Sequence, residues 1–240
     1  MSAQPNPIDD QEPVLTPIPN RAFPLGRVVG GLLVVALMTA AAAVMLPKSA
    51  EAKDAIGLNT SQKKTIEHIQ TYLNAITTMR SRFMQITSEG GFSQGDFRLQ
   101  RPGLMRIDYD PPVPVLIVSN GLMVMYKDEE LDQISHVPLA TMPASMFIGD
   151  TVDFFGDDLL ITDFSNIDGV LRLTIQRSED PLEGSLTLMF ETKPLALKKW
   201  TVIDGQGINT TVSLLGPKFG ESFDPQLFKV ENRAMGGVDN

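Results

Sequence analysis

Residue types able to do chemistry are scarce in this 240-residue chain. It has two histidines, His68 and His136, and no cysteine. A Ser-His-acid triad is arithmetically possible, but no nucleophile-elbow pattern is read. Two isolated histidines without a third ligand at motif spacing do not make a metal site. His68 reads as a solvated helix residue and His136 as a strand end. Gly216-Pro217-Lys218 lacks the spacing of a phosphate-binding loop. Asp128-Glu129-Glu130 reads as a solvated hairpin tip rather than an acid/base pair. Asn59-Thr60-Ser61 and Asn209-Thr210-Thr211 match a glycosylation pattern that is common by chance. The expectation is a protein that is not an enzyme and has no cofactor or metal. A formal charge of −9 and the absence of a basic stripe exclude nucleic acid as a partner.

Methionine is the residue type in excess. Of twelve, nine follow residue 52. Met is flexible and polarizable and serves surfaces that fit variable apolar ligands. The competing reading is ordinary core filling. Met105, Met123, Met125, Met142, Met146 and Met189 fall where the sequence places a greasy face or its cover.

The elements that must position these residues follow from periodicity. Val28–Leu46 carries no charge and follows Arg21 and Arg27. Pro47 ends the run, and Ala50-Glu51-Ala52 supplies a small-x-small site. This is the layout of a secretory signal peptide spanning 1–52. Cleavage after Ala52 or retention as an anchor both place residues 53–240 outside the cytoplasm. Without cysteine, neither disulfides nor lipid attachment to this chain is available.

Residues 60–80 read as an amphipathic helix capped by Thr60 or Ser61, with Ile66, Ile69, Leu73, Ile76 and Met79 on one face. The period then changes to two. Strands are expected near 82–88, 95–101, 104–109, 113–119, 122–127 and 132–137, with Asn120-Gly121 as a two-residue hairpin loop. Residues 138–158 lose the pattern and read as helical turns, greasy through Met142, Met146, Phe147 and Phe154. Strands resume near 160–166, 170–177, 185–191, 195–203 and 208–215. Alternation is one-sided: Phe97 and Leu99; Met105, Ile107 and Tyr109; Leu171, Leu173 and Ile175; Leu186, Leu188 and Phe190 all share phase against polar neighbours. The fold class is therefore mainly β with helices (α+β): one curved antiparallel sheet of about eleven strands. The helix at 60–80 and the segment at 138–158 are the candidates to cover its apolar face. Residues 60–231 contain no linker and read as one domain.

The stretch Gly95-Asp96-Phe97-Arg98-Leu99-Gln100-Arg101-Pro102-Gly103 carries a resemblance. Phe83-Met84-Gln85 precedes it, and Met105-Arg106-Ile107-Asp108-Tyr109, Ile117-Val118-Ser119-Asn120-Gly121 and Val124-Met125-Tyr126 follow. Together they resemble the LolA family, periplasmic carriers of outer-membrane lipoproteins, over about 60–231. The resemblance implies an incompletely closed sheet with a helical lid over an apolar cavity that takes acyl chains. By position, Arg101 corresponds to the arginine that contacts the lid. The resemblance also implies an inner-membrane ABC transporter as donor. The receiver is an outer-membrane acceptor lipoprotein or the outer membrane itself. The absence of cysteine favours the soluble carrier over the lipid-anchored acceptor, and a monomer is expected. A carrier or sensor of another lipid, such as a phospholipid or glycolipid, is the alternative on the same scaffold.

Overall fold

The computed structural model describes residues 56–230. The expected leader at 1–52 lies outside them, as do residues 53–55 and 231–240.

The first helix, α1 (Thr60–Asn74), is shorter at its C-terminal end than the periodicity implies. Its cap is Asn59, neither Thr60 nor Ser61: Asn59 Oδ1 accepts from Gln62 N, and Gln62 Oε1 accepts from Asn59 N. This reciprocal pair satisfies two donors that a helix start leaves open. Ile66, Ile69 and Leu73 are buried, each contributing about 1.5–3 kcal/mol. Ile76 and Met79 are also buried, but Ile76 lies in a turn and Met79 in the first strand. Their helix-like spacing is coincidental, because Thr77 and Thr78 favour extended backbone.

Eleven strands follow: β1 (Thr78–Thr87), β2 (Phe92–Gln100), β3 (Leu104–Tyr109), β4 (Val115–Asn120), β5 (Met123–Asp128), β6 (Gln133–Pro138), β7 (Leu159–Ile167), β8 (Val170–Arg177), β9 (Gly184–Thr192), β10 (Leu195–Asp204) and β11 (Asn209–Phe219). All belong to one antiparallel sheet ordered β6-β5-β4-β3-β2-β1-β11-β10-β9-β8-β7. The expected hairpin at Asn120-Gly121 is displaced by one residue. Val118 pairs with Met125 and Ser119 with Val124, so Gly121 (φ 92°) and Leu122 form the loop. Asn120 instead caps it, its Oδ1 accepting from Leu122 N and Met123 N.

The two edge strands, β6 and β7, are consecutive in the chain and do not pair. Residues 139–158 run between them, with a 3₁₀ turn at Leu139–Thr141 and a one-turn helix, α2 (Ser145–Ile148). The sheet is thus an unclosed barrel, and the segment joining its open edges crosses over the interior. Register shifts at Arg80/Arg82, Leu197/Lys199 and Ile161/Asp163 help it curve. Gly95 contributes differently. A Cβ there would lie 2.0 Å from Asp108 O and 2.7 Å from Phe83, so β2 and β3 approach as closely as they do only because the side chain is missing. Gly95→Ala is expected to destabilise the fold by about 3 kcal/mol, measured by urea unfolding. A change below 1 kcal/mol would mean the strands can part there without loss.

Candidate functional site: an apolar interior and its latch

Register explains how the greasy residues meet. In the first half of the sheet, Met79, Leu99, Met105, Ser119 and Val124 form one cross-strand row, and Phe97, Ile107, Ile117 and Tyr126 the next. In the second half, Leu173, Leu188, Trp200 and Val212 form a row, flanked by Leu171–Phe190 and by Ile175–Leu186. Both sets face inward and, Ser119 apart, belong to one hydrophobic cluster, which α1 completes with Ile66, Ile69 and Leu73. The crossing segment closes it with Met146, Phe147, Ile148, Val152 and Phe154, all buried. Phe147 packs on Trp200 (5.4 Å between ring centroids), and Trp200 on Phe97 (5.5 Å). Ile107, Tyr109 and Met142 are half-buried against this cluster.

Three expected members lie elsewhere: Met189 of β9 is out of phase with the inward Leu188 and Phe190 and pairs with Arg172 and Lys199 on the convex side, and Met123 and Met125 of β5 are turned away as well. Val124 and Tyr126 of β5 face the interior, so alternation turns Met123 and Met125 to the convex side. Met125 is nevertheless buried, as are Val118 opposite it and Phe228. The 3₁₀ turn at Pro225–Phe228 lies against β3 and β4 on the outside, and Arg106 Nη1 donates to Leu227 O at 3.2 Å. Met125 therefore belongs to a small outer patch under the C-terminal segment rather than to the interior. Val124 was the inward residue, and its signal was Tyr126 in the same phase.

Arg101 sits where β2 ends. Its Nη2 donates to Phe147 O, and its Nη1 to Gly149 O and Asn74 Oδ1, both at 3.4 Å. It thus grips the C-terminal end of α2, where carbonyls lack helical partners. Gly103 N adds a bond to Ile148 O at 3.0 Å. Burial pulls the guanidinium below its ordinary pKa, while the charge of Asp150 acts in the opposite sense. Sequence reasoning missed the other holders. Asn74 brackets Val152, donating to its carbonyl at 2.9 Å and accepting from its N–H at 2.8 Å. Gln70 Oε1 accepts from Phe154 N at 2.9 Å. At the far edge, Arg177 Nη2 donates to Ala140 O, to Met142 O at 3.2 Å and to Ser145 Oγ at 2.6 Å. The crossing segment is thus tied to β2, to α1 and to β8 by side-chain bonds, and not by strand pairing. No strand pairing of the sheet depends on these bonds.

Tyr109 shows how dry the interior rim is. Burial pushes its phenol up to about 12, against a smaller opposing effect of the hydrogen bond to Gln85 (2.9 Å). Because the folded value is raised, Tyr109 contributes its full stability below pH 10. Above that the unfolded chain ionises first, and about 2 kcal/mol is lost by pH 12. Thermal midpoints are expected to fall between pH 9 and 11.5, and less steeply in Tyr109→Phe. An equal fall in both proteins would remove Tyr109 as the cause.

The places of the histidines offer no chemistry. Both are exposed, and among the described residues no group of three metal-binding side chains gathers. Gly91-Phe92-Ser93-Gln94-Gly95 has the letters of a nucleophile elbow, which the sequence reading passed over. Phe92–Gly95 lies in the continuous strand β2, so Ser93 has no strand-to-helix turn to expose it.

The family profile described as "Outer membrane lipoprotein carrier protein LolA" matches residues 74–231. The outer-membrane lipoprotein carrier protein of Pseudomonas syringae pv. syringae is 30% identical over 210 residues, covering 83% of this chain and 94% of its own. That of Azotobacter vinelandii is 29% identical over 178 residues, covering 70% of this chain and 84% of its own. Among solved structures, LolA superfamily protein NE2245 from Nitrosomonas europaea overlaps 68% of this chain and 97% of its own, at 9% identity and a TM-score of 0.40. With its profile matched across β1 to β11 and its carrier relatives aligned over most of their length, the chain belongs to the LolA family of outer-membrane lipoprotein carriers.

Proposed function

We propose that the protein binds the acyl chains of lipoproteins released from the inner membrane, carries them through the periplasm as a monomer and delivers them to the outer membrane. The observation that supports this most is the cover: a one-faced apolar interior under a segment held by its own buried apolar residues and by side-chain and single backbone bonds, with no strand pairing. Its expected leader, residues 1–52, would export a carrier domain beginning at residue 53. The argument from energy is direct. An acyl chain of roughly fifteen methylenes costs on the order of 12 kcal/mol to expose to water. A carrier must offer an interior of similar quality and still let go. With the cover down, the protein's own Phe97, Phe147 and Trp200 fill the space, so a lipid must displace them. That competition keeps binding reversible.

Arg101 is the latch in this reading, and the residues of the interior receive the chains. Nothing in the site activates a nucleophile, so the protein acts as a carrier and not as a lipid hydrolase. Energy for loading would come from an inner-membrane ABC transporter, and release from an acceptor lipoprotein or the outer membrane itself. Mass spectrometry of what the protein captures in the cell tests the proposal. Lipoproteins with intact acyl chains are the expected cargo. Phospholipid or glycolipid without polypeptide would overturn it in favour of a lipid carrier.

A further inference from the structure

Arg101 and Arg177 occupy matching places in the two halves of the sheet. Arg101 continues the inward phase of Phe97 and Leu99 one step past the end of β2, and Arg177 continues that of Leu171, Leu173 and Ile175 at the end of β8. Each is a charge at the end of an apolar row, where it must find polar partners on the inner side. Both find them in the crossing segment. Arg177 Nη2 donates to Ala140 O, to Met142 O at 3.2 Å and to Ser145 Oγ at 2.6 Å. Ser145 Oγ donates in turn to Met142 O at 2.8 Å. Arg101 takes Phe147 O and Gly149 O. Because α2 is a single turn (Ser145–Ile148), its N-terminal end is held from β8 and its C-terminal end from the end of β2. Between the two grips Met146, Phe147 and Ile148 are buried.

The strands β1, β11, β10 and β9 lie between β2 and β8 in the sheet, so α2 with its two arginines is a tie across the interior. Release at Arg101 alone leaves Ser145 fixed. Successive Cα atoms are about 3.8 Å apart, so Met146 stays beside its fixed neighbour, and Leu139, buried earlier in the segment, stays with it. Release at Arg177 alone leaves Phe147 held by its carbonyl, against Trp200. Clearing the apolar side chains of the cover needs both grips to open. Arg177 has a further neighbour. Its Nε lies 3.4 Å from Glu183 Oε2, at the end of the 3₁₀ turn Pro181–Glu183 that joins β8 to β9. This ion pair fixes one edge of the guanidinium and leaves Nη2 for the cover.

We propose that Arg177 is a second latch, that Glu183 positions it, and that lipid enters only when both arginines let go of α2. This rests on the carrier reading above and deepens it by naming what regulates the same site. The test uses the protein expressed from its full chain and a diacylglyceryl cysteine amide as ligand. Binding is followed by the fluorescence of Trp200, the single tryptophan, and thermal unfolding is measured alongside. Arg177→Leu is expected to bind about fivefold more tightly while its thermal midpoint falls, because the bonds it loses belong to the covered form alone. A merely structural role would lower affinity and stability together. Arg101→Leu combined with Arg177→Leu is expected to tighten binding by the product of the two single effects. Glu183→Gln keeps the shape and removes the charge. It is expected to tighten binding about twofold, the worth of a partly exposed ion pair, and to add nothing once residue 177 is Leu. Unchanged or weaker binding by Arg177→Leu would overturn the proposal, as would a double variant no tighter than Arg101→Leu alone. A Glu183→Gln effect that persists without Arg177 would overturn the positioning role. Failure of the wild-type protein and every variant to bind the ligand removes the carrier reading itself, whereas a wild-type protein that binds and an Arg177→Leu variant that binds no better remove only the second latch.

Discussion

Arg101→Leu is expected to capture a lipid about 10- to 100-fold more tightly than the wild-type protein, and to release it correspondingly more slowly. The measurement uses a diacylglyceryl cysteine amide as the ligand. The reasoning is a population argument. Apparent affinity equals intrinsic affinity times the fraction of protein whose cover is free to open. Arg101 lowers that fraction by gripping Phe147 O, Gly149 O and Asn74 Oδ1. Hydrogen bonds to a charged donor contribute about 1.5–3 kcal/mol, and the desolvation of a half-buried guanidinium offsets part of their sum. A net effect of about 1.5–3 kcal/mol converts to the stated range. Leu preserves the packing of the side chain's stem, but the covered form loses that same ~1.5–3 kcal/mol, so the thermal midpoint should fall by roughly 3–10 °C. Unchanged capture and release would take Arg101 out of the mechanism. Weaker capture would mean that it touches the lipid rather than restraining the cover.

A second large effect is expected from locking the cover. The chain has no cysteine, so Asn74→Cys with Val152→Cys can form one disulfide and no other. Asn74 bonds both backbone polar groups of Val152, so the two residues are neighbours across the seam, and loss of free thiol on oxidation checks that the bond has closed. Oxidised, the double variant is expected to lose lipid capture by a factor of about 100 or more, because the cover can no longer leave the interior. Reduced, it should bind at least as well as the wild-type protein, since two bonds that held the cover are gone. Equal capture by the oxidised and reduced forms would show that lipid enters by another route.

Much of the sheet is legible in the residues, because period-two alternation survives wherever a strand is regular. β2, β3, β8 and β9 present Phe97, Leu99, Met105, Leu171, Leu173, Ile175, Leu186, Leu188 and Phe190 to the interior in the phase that the sequence shows. Where a bulge intervenes, phase is lost. Leu197 and Trp200, three residues apart in β10, face the same side because the register shifts between Leu197 and Lys199. Ile161 and Phe164 do so across a similar shift in β7. This is why the Trp200 contact with Phe147, at the centre of the closed interior, was not anticipated. Met123 and Met125 misled for another reason: residue type was weighed above phase, and an outer patch under the C-terminal segment buries Met125 as completely as a core would.

The cover was legible as a cover but not in its fastenings. The loss of pattern at 138–158 pointed to a segment outside the sheet, and resemblance pointed to Arg101. Asn74, Gln70 and Arg177 act across 78, 84 and 35 residues or thereabouts, and no local periodicity encodes such bonds. Gly95 was visible only as part of a motif. Its reason, a backbone contact that leaves no room for Cβ, required the β2–β3 register.

The account stands on acyl chains entering the space beneath the cover, against Trp200. Nitroxide groups placed at different depths along the acyl chain of a lipidated cysteine test this directly, since each quenches only a nearby indole. Trp200 is 6% exposed and packed between Phe97 and Phe147, so water-borne quenchers should reach it poorly. A mid-chain nitroxide is predicted to quench it strongly once the ligand is bound. A ligand that binds with equal affinity but leaves Trp200 unquenched from every depth would place the lipid outside the interior and contradict the account.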